Sequence, residues 1–269
     1  MSSQRRTPQG GKPHRGGRPT TAKGGAGKVG GSKPGAGKGS RAAKPAKRMP
    51  DAVAPEDLTP RTFRLGIIPG ATPGRWIDAW KQRMPHVEIE LVPISAQEQV
   101  HALRELDAAI VRLPVERSGP SSSEAPVGPE PLTDEFHVIR LYDETPVVVT
   151  SADSHLMAAD ELTAADLDGE VLITPLDDVL GPLGPSTTPP NFAPLATTAD
   201  AVATVASGVG ILVVPMSLAR AHHRKDADHR PLVDGPLSPV ALAWRRDRTT
   251  PDVDTFVGIV RGRTANSSR

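Results

Sequence analysis

Two hydroxyl side chains stand at positions that could bind a small anion. Thr72 follows the strand-like run 63–68 and precedes a helical pattern, and Ser95 follows the run 89–94 in the same way. Open α/β sheets bind ligands at the carboxyl ends of their strands, where the free N–H groups of a helix start favour negative charge. The same hydroxyls could instead only cap their helices, which is the commoner role. For Ser95, Glu98 three residues later completes a capping box.

Residue types that support catalysis or metal binding do not form a recognisable site. The chain has no Cys and no G-x-S-x-G elbow, and Asp177-Asp178 is an isolated acidic pair of the kind found in turns and helix caps. The segment 221–229 contains three His and two Asp, but two cations lie among them. We therefore predict a non-enzymatic protein with no catalytic residue, metal or cofactor, and we expect 221–229 to be an exposed helix end.

The elements that must position Thr72 and Ser95 alternate between strand and helix patterns from residue 63 onward. Short apolar runs predict strands, and apolar residues at helical spacing predict helices. This alternation indicates an α/β fold with a mainly parallel sheet covered by helices on both faces. The predicted strands are 63–68, 89–94, 108–113, 137–142, 146–151, 171–174, 211–214 and 240–244. The predicted helices are 73–84, 95–106, a weak one at 158–167, 198–208, 216–223 and 253–260, and 116–135 is expected to be an exposed loop.

Charge is divided unevenly along the 269 residues. The chain has 32 Lys and Arg against 31 Asp and Glu, but residues 1–50 hold 13 of the cations and no acid. The remaining residues therefore carry 19 cations and 31 acids, a net charge of −12. The first 50 residues are also rich in Gly and Pro, so we expect them to be disordered. Such a tail could neutralise nucleic-acid phosphates without reading their sequence, or could only solubilise the chain and contact its acidic body.

The cellular setting is expected to be the cytoplasm. No apolar run approaches the ~20 residues that a membrane helix needs, so we predict no membrane contact. The first residues lack the apolar core of a secretory signal peptide. The absence of Cys fits a reducing compartment.

Four segments, in this order, resemble the effector-binding domain of LysR-type transcriptional regulators. They are FRLGIIPGATP (63–73), VEIELVPISAQEQVHALRELDAAIVRLP (87–114), LYDETPVVVTSADSHLMAADELTAADLDGE (141–170) and TTADAVATVASGVGILVVPMSLAR (197–220). The resemblance implies the type 2 periplasmic-binding-protein fold, in which two Rossmann-like lobes face each other across a cleft. It divides the chain into a basic tail and linker over 1–60 and a domain over 61–263. The first lobe would comprise 61–143 and 232–263, and the second lobe 144–231.

The resemblance also implies a ligand site, because helix starts of both lobes face the cleft in that fold. The matching positions of the first lobe are Gly70, Ala71, Thr72 and Ser95, and those of the second are Thr174, Thr197 and Thr198. Arg75 would supply a counter-charge for an anion, or would be an ordinary solvated side chain. The resemblance to this family also implies that the chain forms a homodimer. The helix with Trp76 and Trp80 could form its interface, although both Trp could equally be core residues.

Two functions remain open at this stage. The first is a non-enzymatic domain that binds a small anionic metabolite and acts in transcriptional regulation through a partner. The second is a nucleic-acid-associated or architectural protein that uses its basic tail, with the body as a dimerisation platform. LysR regulators carry an N-terminal winged helix-turn-helix, whereas the Gly/Pro/Lys-rich tail cannot form a three-helix motif. We therefore expect this chain not to read DNA sequence by itself.

Overall fold

The structure is a computed structural model that describes residues 59–115, 128–183 and 186–262. The predicted disordered tail up to residue 58, and most of the predicted loop 116–135, lie outside these residues. The described residues contain eight strands: β1 Arg61–Ile67, β2 Val87–Pro93, β3 Ala108–Arg112, β4 Phe136–Glu144, β5 Pro146–Ser151, β6 Leu212–Pro215, β7 Ala227–Pro231 and β8 Ser238–Arg245. They also contain five α-helices: α1 Gly74–Arg83, α2 Gln99–Leu103, α3 Thr198–Ala206, α4 Met216–Ala221 and α5 Pro251–Val260.

The strands form two sheets, of which the first is mixed and the second is antiparallel. Five strands pair in the order β2-β1-β3-β8-β4, and three pair in the order β6-β5-β7. β1 is parallel to β2 and β3, whereas β8 is antiparallel to β3 and β4. β5 is antiparallel to both of its neighbours. The predicted mainly parallel sheet is therefore wrong. The chain leaves the first sheet after β4, builds the second, and returns as β8 in the opposite direction.

β7 occupies part of the segment that was expected to be an exposed helix end. This strand pairs with β5 along the edge of the second sheet. Its Arg230 donates to Asp228 at 3.1 Å and to the backbone carbonyls of Met157 and Ala159 at 2.9 and 2.7 Å. Charged side chains are common both on edge strands and at helix ends, so the charge pattern alone could not separate the two.

Two other segments have less regular structure than their sequences indicate. The predicted strand 171–174 makes only single bridges, from Val171 to Thr188 and from Leu172 to Ile211. The predicted weak helix 158–167 consists of two short 3₁₀ turns, His155–Ala158 and Ala164–Leu167. Both segments contain apolar residues that are buried, such as Ile173 and Leu167. Whether such residues form a regular strand or helix depends on packing partners that are distant in sequence.

An aromatic cluster holds α1 and α5 against the first sheet. Trp80 is fully buried and stacks on Phe63 at 4.6 Å between ring centroids, and Phe256 contacts both rings. The indole N–H of Trp80 donates to the Val87 carbonyl at 2.9 Å. Trp80 is thus a core residue, while Trp76, one turn earlier, is only partly buried.

The core of the second sheet is aliphatic. The β5 valines, Val147 to Val149, belong to one buried cluster with Val202 and Val205 of α3 and with three residues of β6: Leu212, Val213 and Val214. This cluster also takes in Ala96 from the turn that follows β2. The two sheets therefore meet through apolar contacts close to the loop that carries Ser95.

Candidate functional site

A cavity of about 280 Å³ lies where loops of the two sheets meet. Its first wall comes from the segments that follow β1 and β2 and from the end of β3. Its second wall comes from the loop before α3, from the start of α3 and from one face of α4. The residues that line it are Pro69, Ser95, Ala96, Gln97, Arg112, Asp177, Val179, Thr197, Thr198, Ala199, Leu218 and His222.

The structure brings together only some of the predicted site residues. Ser95, Thr197 and Thr198 line this cavity. Gly70, Ala71 and Thr72 line a second, more open pocket of about 710 Å³, together with the end of β4 and the other face of α4. Thr174 and Arg75 are exposed and line neither of these two pockets. Thr72 and Ser95 therefore line different pockets, although Ala71 and Ser95 both line a third pocket of about 530 Å³.

Ser95 and Thr197 both act as local caps in the structure. The Ser95 hydroxyl donates to the Glu98 carboxylate at 2.8 Å and accepts from the Glu98 N–H at 3.1 Å. Helix α2 itself begins one turn later than predicted, at Gln99. The Thr197 hydroxyl donates to the Asp200 carboxylate at 2.8 Å and accepts from the Asp200 N–H at 3.1 Å, as the N-cap of α3.

Thr198 is the first residue of α3 rather than its cap. Its side chain is buried, and the hydroxyl donates to the Asp177 carboxylate at 2.8 Å. Because a hydroxyl has a single O–H, neither Ser95, Thr197 nor Thr198 retains a donor for an anion in this arrangement. The backbone N–H groups of Thr198 and Ala199, in the first turn of α3, have no acceptor among the described residues.

Arg112, at the end of β3, is the cation of the cavity, and its side chain is only 1 % exposed. One guanidinium nitrogen, Nη1, donates to Glu144 and to Ser238, at 2.8 Å in each case. The other, Nη2, donates to Ser217 at 3.0 Å and to the Pro69 carbonyl at 3.4 Å. Its Nε–H has no acceptor among the described residues.

This donor belongs to a side chain that lines the cavity. In the described part of the chain, every fully buried side-chain nitrogen or oxygen has a hydrogen-bond partner. The unpaired Nε of Arg112 is therefore not fully buried, and the cavity is the pocket that Arg112 lines. An anion in the cavity could accept this bond, and a bond to a charged group is among the stronger ones in proteins.

Two further contacts fix the position of Arg112. The side-chain amide of Gln99, which is fully buried, donates to the Arg112 carbonyl at 2.6 Å and accepts from its N–H at 3.0 Å. Ser217 of α4 donates to Glu144 at 2.8 Å, so the polar cluster connects the two sheets. Gly70 permits this approach, because a Cβ on its backbone (φ +85°) would lie 2.4 Å from the Ser217 hydroxyl.

The sequence reasoning missed Arg112, Gln99, Glu144 and Ser217. A signal was present for the first of them, since Arg112 interrupts the otherwise apolar run 108–113. A charged side chain at such a place is rarely buried without a specific partner. The partners could not be identified, because Glu144 and Ser217 lie far along the chain from Arg112.

Two titratable groups near the site have perturbed pKa values. Burial raises the pKa of Tyr142, and the charge of Glu144 adds to this rise while Arg112 opposes it. Burial also raises the pKa of Asp178, beside the cavity residue Asp177. Backbone hydrogen bonds from Leu180, Gly181 and Val179 oppose that rise, and the charge of Asp177 adds to it.

Residues 59–115, 128–183 and 186–262 contain neither a metal-binding cluster nor a membrane-spanning helix. No group of three or more His, Cys, Asp or Glu side chains in these ranges could hold a metal ion. None of their helices is long and apolar enough to cross a membrane.

Solved structures share this architecture. The BenM effector-binding domain with its effector benzoate has a TM-score of 0.55 and 21 % identity, covering 75 % of this chain and 91 % of that one. The reduced OxyR regulatory domain from Pseudomonas aeruginosa has a TM-score of 0.52 and 21 % identity, covering 75 % of this chain and 95 % of that one. These neighbours have the periplasmic-binding-protein-like fold, as predicted.

Sequence comparison identifies the family. The chain is 26 % identical over 221 residues to the Hca operon transcriptional activator HcaR of Escherichia coli (strain K12). The aligned region covers 77 % of this chain and 69 % of HcaR. The family description "LysR substrate binding domain" matches residues 56–265. Because this match spans well over half of the chain, the protein belongs to the LysR substrate-binding domain family.

Proposed function

We propose that this domain binds a small anionic metabolite in the cavity between its two sheets and acts without catalysis in transcriptional regulation, through a partner. LysR substrate-binding domains are parts of transcription regulators, which bind small-molecule effectors and function as oligomers. We also propose that this chain forms a homodimer and acts in the cytoplasm. In the same proposal, the chain consists of a tail over 1–60 and two lobes over 61–263.

The observation that carries this proposal is the set of unpaired donors around the cavity. They are the Arg112 Nε–H and the N–H groups at the start of α3, where the helix dipole adds positive potential. Small-molecule sites usually have about 300–1,000 Å³, and the 280 Å³ cavity lies at the lower limit of that range. A compact ligand is therefore favoured.

A thermal-shift screen of small carboxylates tests the proposal. A ligand that binds only the folded state at 100 times its Kd should stabilise that state by about 2.7 kcal/mol. Benzoate is a suitable first probe, since it is the effector bound in the BenM structure. Ala199 is exposed and lines the cavity, so Ala199→Trp should obstruct it and abolish the shift.

Ala203→Trp is the matched control for this screen. Ala203 is also exposed on α3 but does not line the cavity, so its substitution should leave the shift unchanged. Equal loss of the shift in both variants would indicate damage to α3 rather than obstruction. A shift that persists in Ala199→Trp would contradict the cavity as the binding site.

A second candidate function rests on a separate observation, the charge of residues 1–50. Thirteen Lys and Arg without a single acid form a polycation that could bind nucleic acid through its phosphates. The body would then serve as a dimerisation platform. This role does not exclude ligand binding, and the salt dependence of DNA binding tests it.

A further inference from the structure

The cavity is electrostatically divided, since a cation and an acid both line it. Arg112 belongs to its first wall and Asp177 to its second. Glu144 neutralises Arg112 from outside the cavity lining, but the Arg112 Nε–H remains unpaired and available. One negative group of a ligand could therefore accept a bond from Arg112 without displacing Glu144.

Asp177 gives the opposite side of the cavity a negative charge. One of its carboxylate oxygens accepts from the Thr198 hydroxyl, and no cation of the described residues pairs with it. The adjacent Asp178 does not line the cavity, and its carboxylate accepts from the N–H groups of Leu180 and Gly181 at 3.1 and 2.7 Å. A like charge brought next to Asp177 is unfavourable, because repulsion is strong in a partly desolvated site.

The remaining walls are mostly apolar. Val179 and Leu218 are buried, and Pro69 and Ala96 complete an apolar surface between the two charged residues. Such walls bind an apolar ligand body, and the small volume limits its size.

We propose that the cavity selects compact monocarboxylates with an apolar body. Arg112 holds the single carboxylate, and Asp177 rejects ligands with a second negative group. This inference rests on the proposed function, since it specifies the ligand class of the same cavity. It makes Arg112 the anchoring residue and Asp177 the residue that determines specificity.

Titration calorimetry of the full chain at neutral pH tests this assignment with matched probes. Benzoate and butyrate are the monocarboxylates, benzamide and butyramide are their neutral counterparts, and phthalate and succinate are the dicarboxylates. A hydrogen bond to a charged group accounts for roughly a tenfold or greater difference in affinity. We expect at least one monocarboxylate to bind roughly tenfold more tightly than both its amide and its diacid.

Two variants separate the roles of the two charged residues. Asp177→Asn should bring the diacid to within about threefold of the monocarboxylate, because the like charge has been removed. Arg112→Lys retains a cation for Glu144 but has no Nε–H, so the monocarboxylate should bind roughly tenfold more weakly. Urea unfolding of both variants shows whether they remain folded, and the Asp177→Asn result stands even where Arg112→Lys does not fold.

Each outcome distinguishes this inference from the proposed function. If amides bind as tightly as acids, or if diacids bind best to the natural chain, the inference is wrong. The inference is also wrong if no monocarboxylate of the panel binds but another compound binds in the cavity. In that case Ala199→Trp abolishes the binding of that compound, and the proposed function stands. If Ala199→Trp affects no ligand that binds the chain, the proposed function fails as well.

Discussion

The Arg112 guanidinium is stable in its buried position only because its surroundings supply several acceptors. Its side chain is 1 % exposed and that of Glu144 is 9 % exposed, so both charges have lost most of their hydration. Such pairs contribute little net stability, but a single charge left behind is costly. The pair lies within the first sheet, and Ser217 of α4 bonds to both of its members, so α4 is held against this sheet by the polar cluster.

We expect Arg112→Met to destabilise the fold by about 3–5 kcal/mol, because it leaves Glu144 buried without a cation. The double variant Arg112→Met with Glu144→Met should recover most of this loss. Urea unfolding measures both. The exposed pair Arg140–Asp143 is the control, and Arg140→Met there should cost about 0–1 kcal/mol. A small loss in Arg112→Met, similar to that of the control, would show that the buried pair is not needed.

Asp178 should give the stability of the protein a specific pH dependence. Its folded-state pKa lies above the ordinary value of 3.8, so the fold favours the protonated form. That contribution is present below the unfolded pKa and is lost as pH rises through the folded pKa. Relative to Asp178→Asn, the natural chain should therefore lose stability as the pH rises from below the ordinary value of 3.8 through the raised folded-state pKa.

The opposite sign is expected at Asp166, which serves as the control. Hydrogen bonds from the backbone and side chain of Thr163 lower the pKa of the Asp166 carboxyl. Its contribution is present above the unfolded pKa and is lost as pH falls through the folded pKa. Unfolding free energies of Asp166→Asn and Asp178→Asn should thus diverge from the natural chain in opposite pH directions. Parallel pH profiles for all three chains would refute the prediction.

Among the elements, α1 is positioned by one face that packs against β1 and α5. Its buried residue Trp80 contributes both ring contacts and a hydrogen bond to the Val87 carbonyl at the start of β2. This packing assigns Trp80 to the core of the protomer, so it is not available to a second copy. If α1 takes part in the proposed homodimer, Trp76 and its exposed neighbours must supply the contact.

Trp80→Ala should cost about 3–5 kcal/mol in unfolding free energy, because it leaves a cavity between Phe63 and Phe256. Trp80→Phe should cost less, since it keeps most of the ring contacts and loses only the bond to Val87. Denaturant titration of both variants measures these losses. Trp76→Ala, at a partly buried position of the same helix, should have the smallest effect of the three. A larger loss for Trp76→Ala would contradict the assignment of Trp80 as the principal anchor of α1.

For the whole molecule, the separation of charge along the chain allows two activities to be tested independently. The cations are concentrated in residues 1–50, and the remaining chain has a net charge of −12. An acidic body repels nucleic acid, so DNA binding by this chain would have to depend on the tail. The cavity in which we propose ligand binding is lined only by residues after 68.

Deletion of residues 1–50 should abolish the retention of DNA and leave the ligand-induced thermal shift unchanged. If six to ten cations contact phosphates, DNA affinity of the full chain should fall roughly 10³–10⁵-fold between about 50 and 200 mM salt. Gel-shift titrations with two unrelated DNA sequences measure this, and both should behave alike. As a control, four regularly spaced lysines of the full-length chain are replaced by Gln: Lys23, Lys28, Lys33 and Lys38. The DNA affinity of this variant should depend less steeply on salt concentration. DNA retention that survives the deletion would contradict the assignment to the tail.

Local sequence patterns were sufficient wherever structure depends on neighbours in the chain. Apolar spacing predicted α1, α3 and α5, and the apolar runs predicted β1, β3 and β5 to within two residues. The reciprocal contacts between Ser95 and Glu98 were also predictable, because both partners lie within one turn. The start of α2 was not predictable, because residues 96–98 form a turn whose Ala96 packs in the core of the second sheet.

By itself, the sequence determined the family, the separation of a basic tail from an acidic body, and the start of α3 with the hydroxyls of Thr197 and Thr198. Tertiary structure alone decided that Thr72 and Ser95 line different pockets, and that Arg112, Glu144 and Ser217 meet. It also decided the antiparallel second sheet and the edge strand β7. The physical reason is the range of the interactions. Periodicity and capping act within a few residues, whereas the desolvation of Arg112 is compensated by groups brought from both sheets, whose positions depend on the packing of the whole domain.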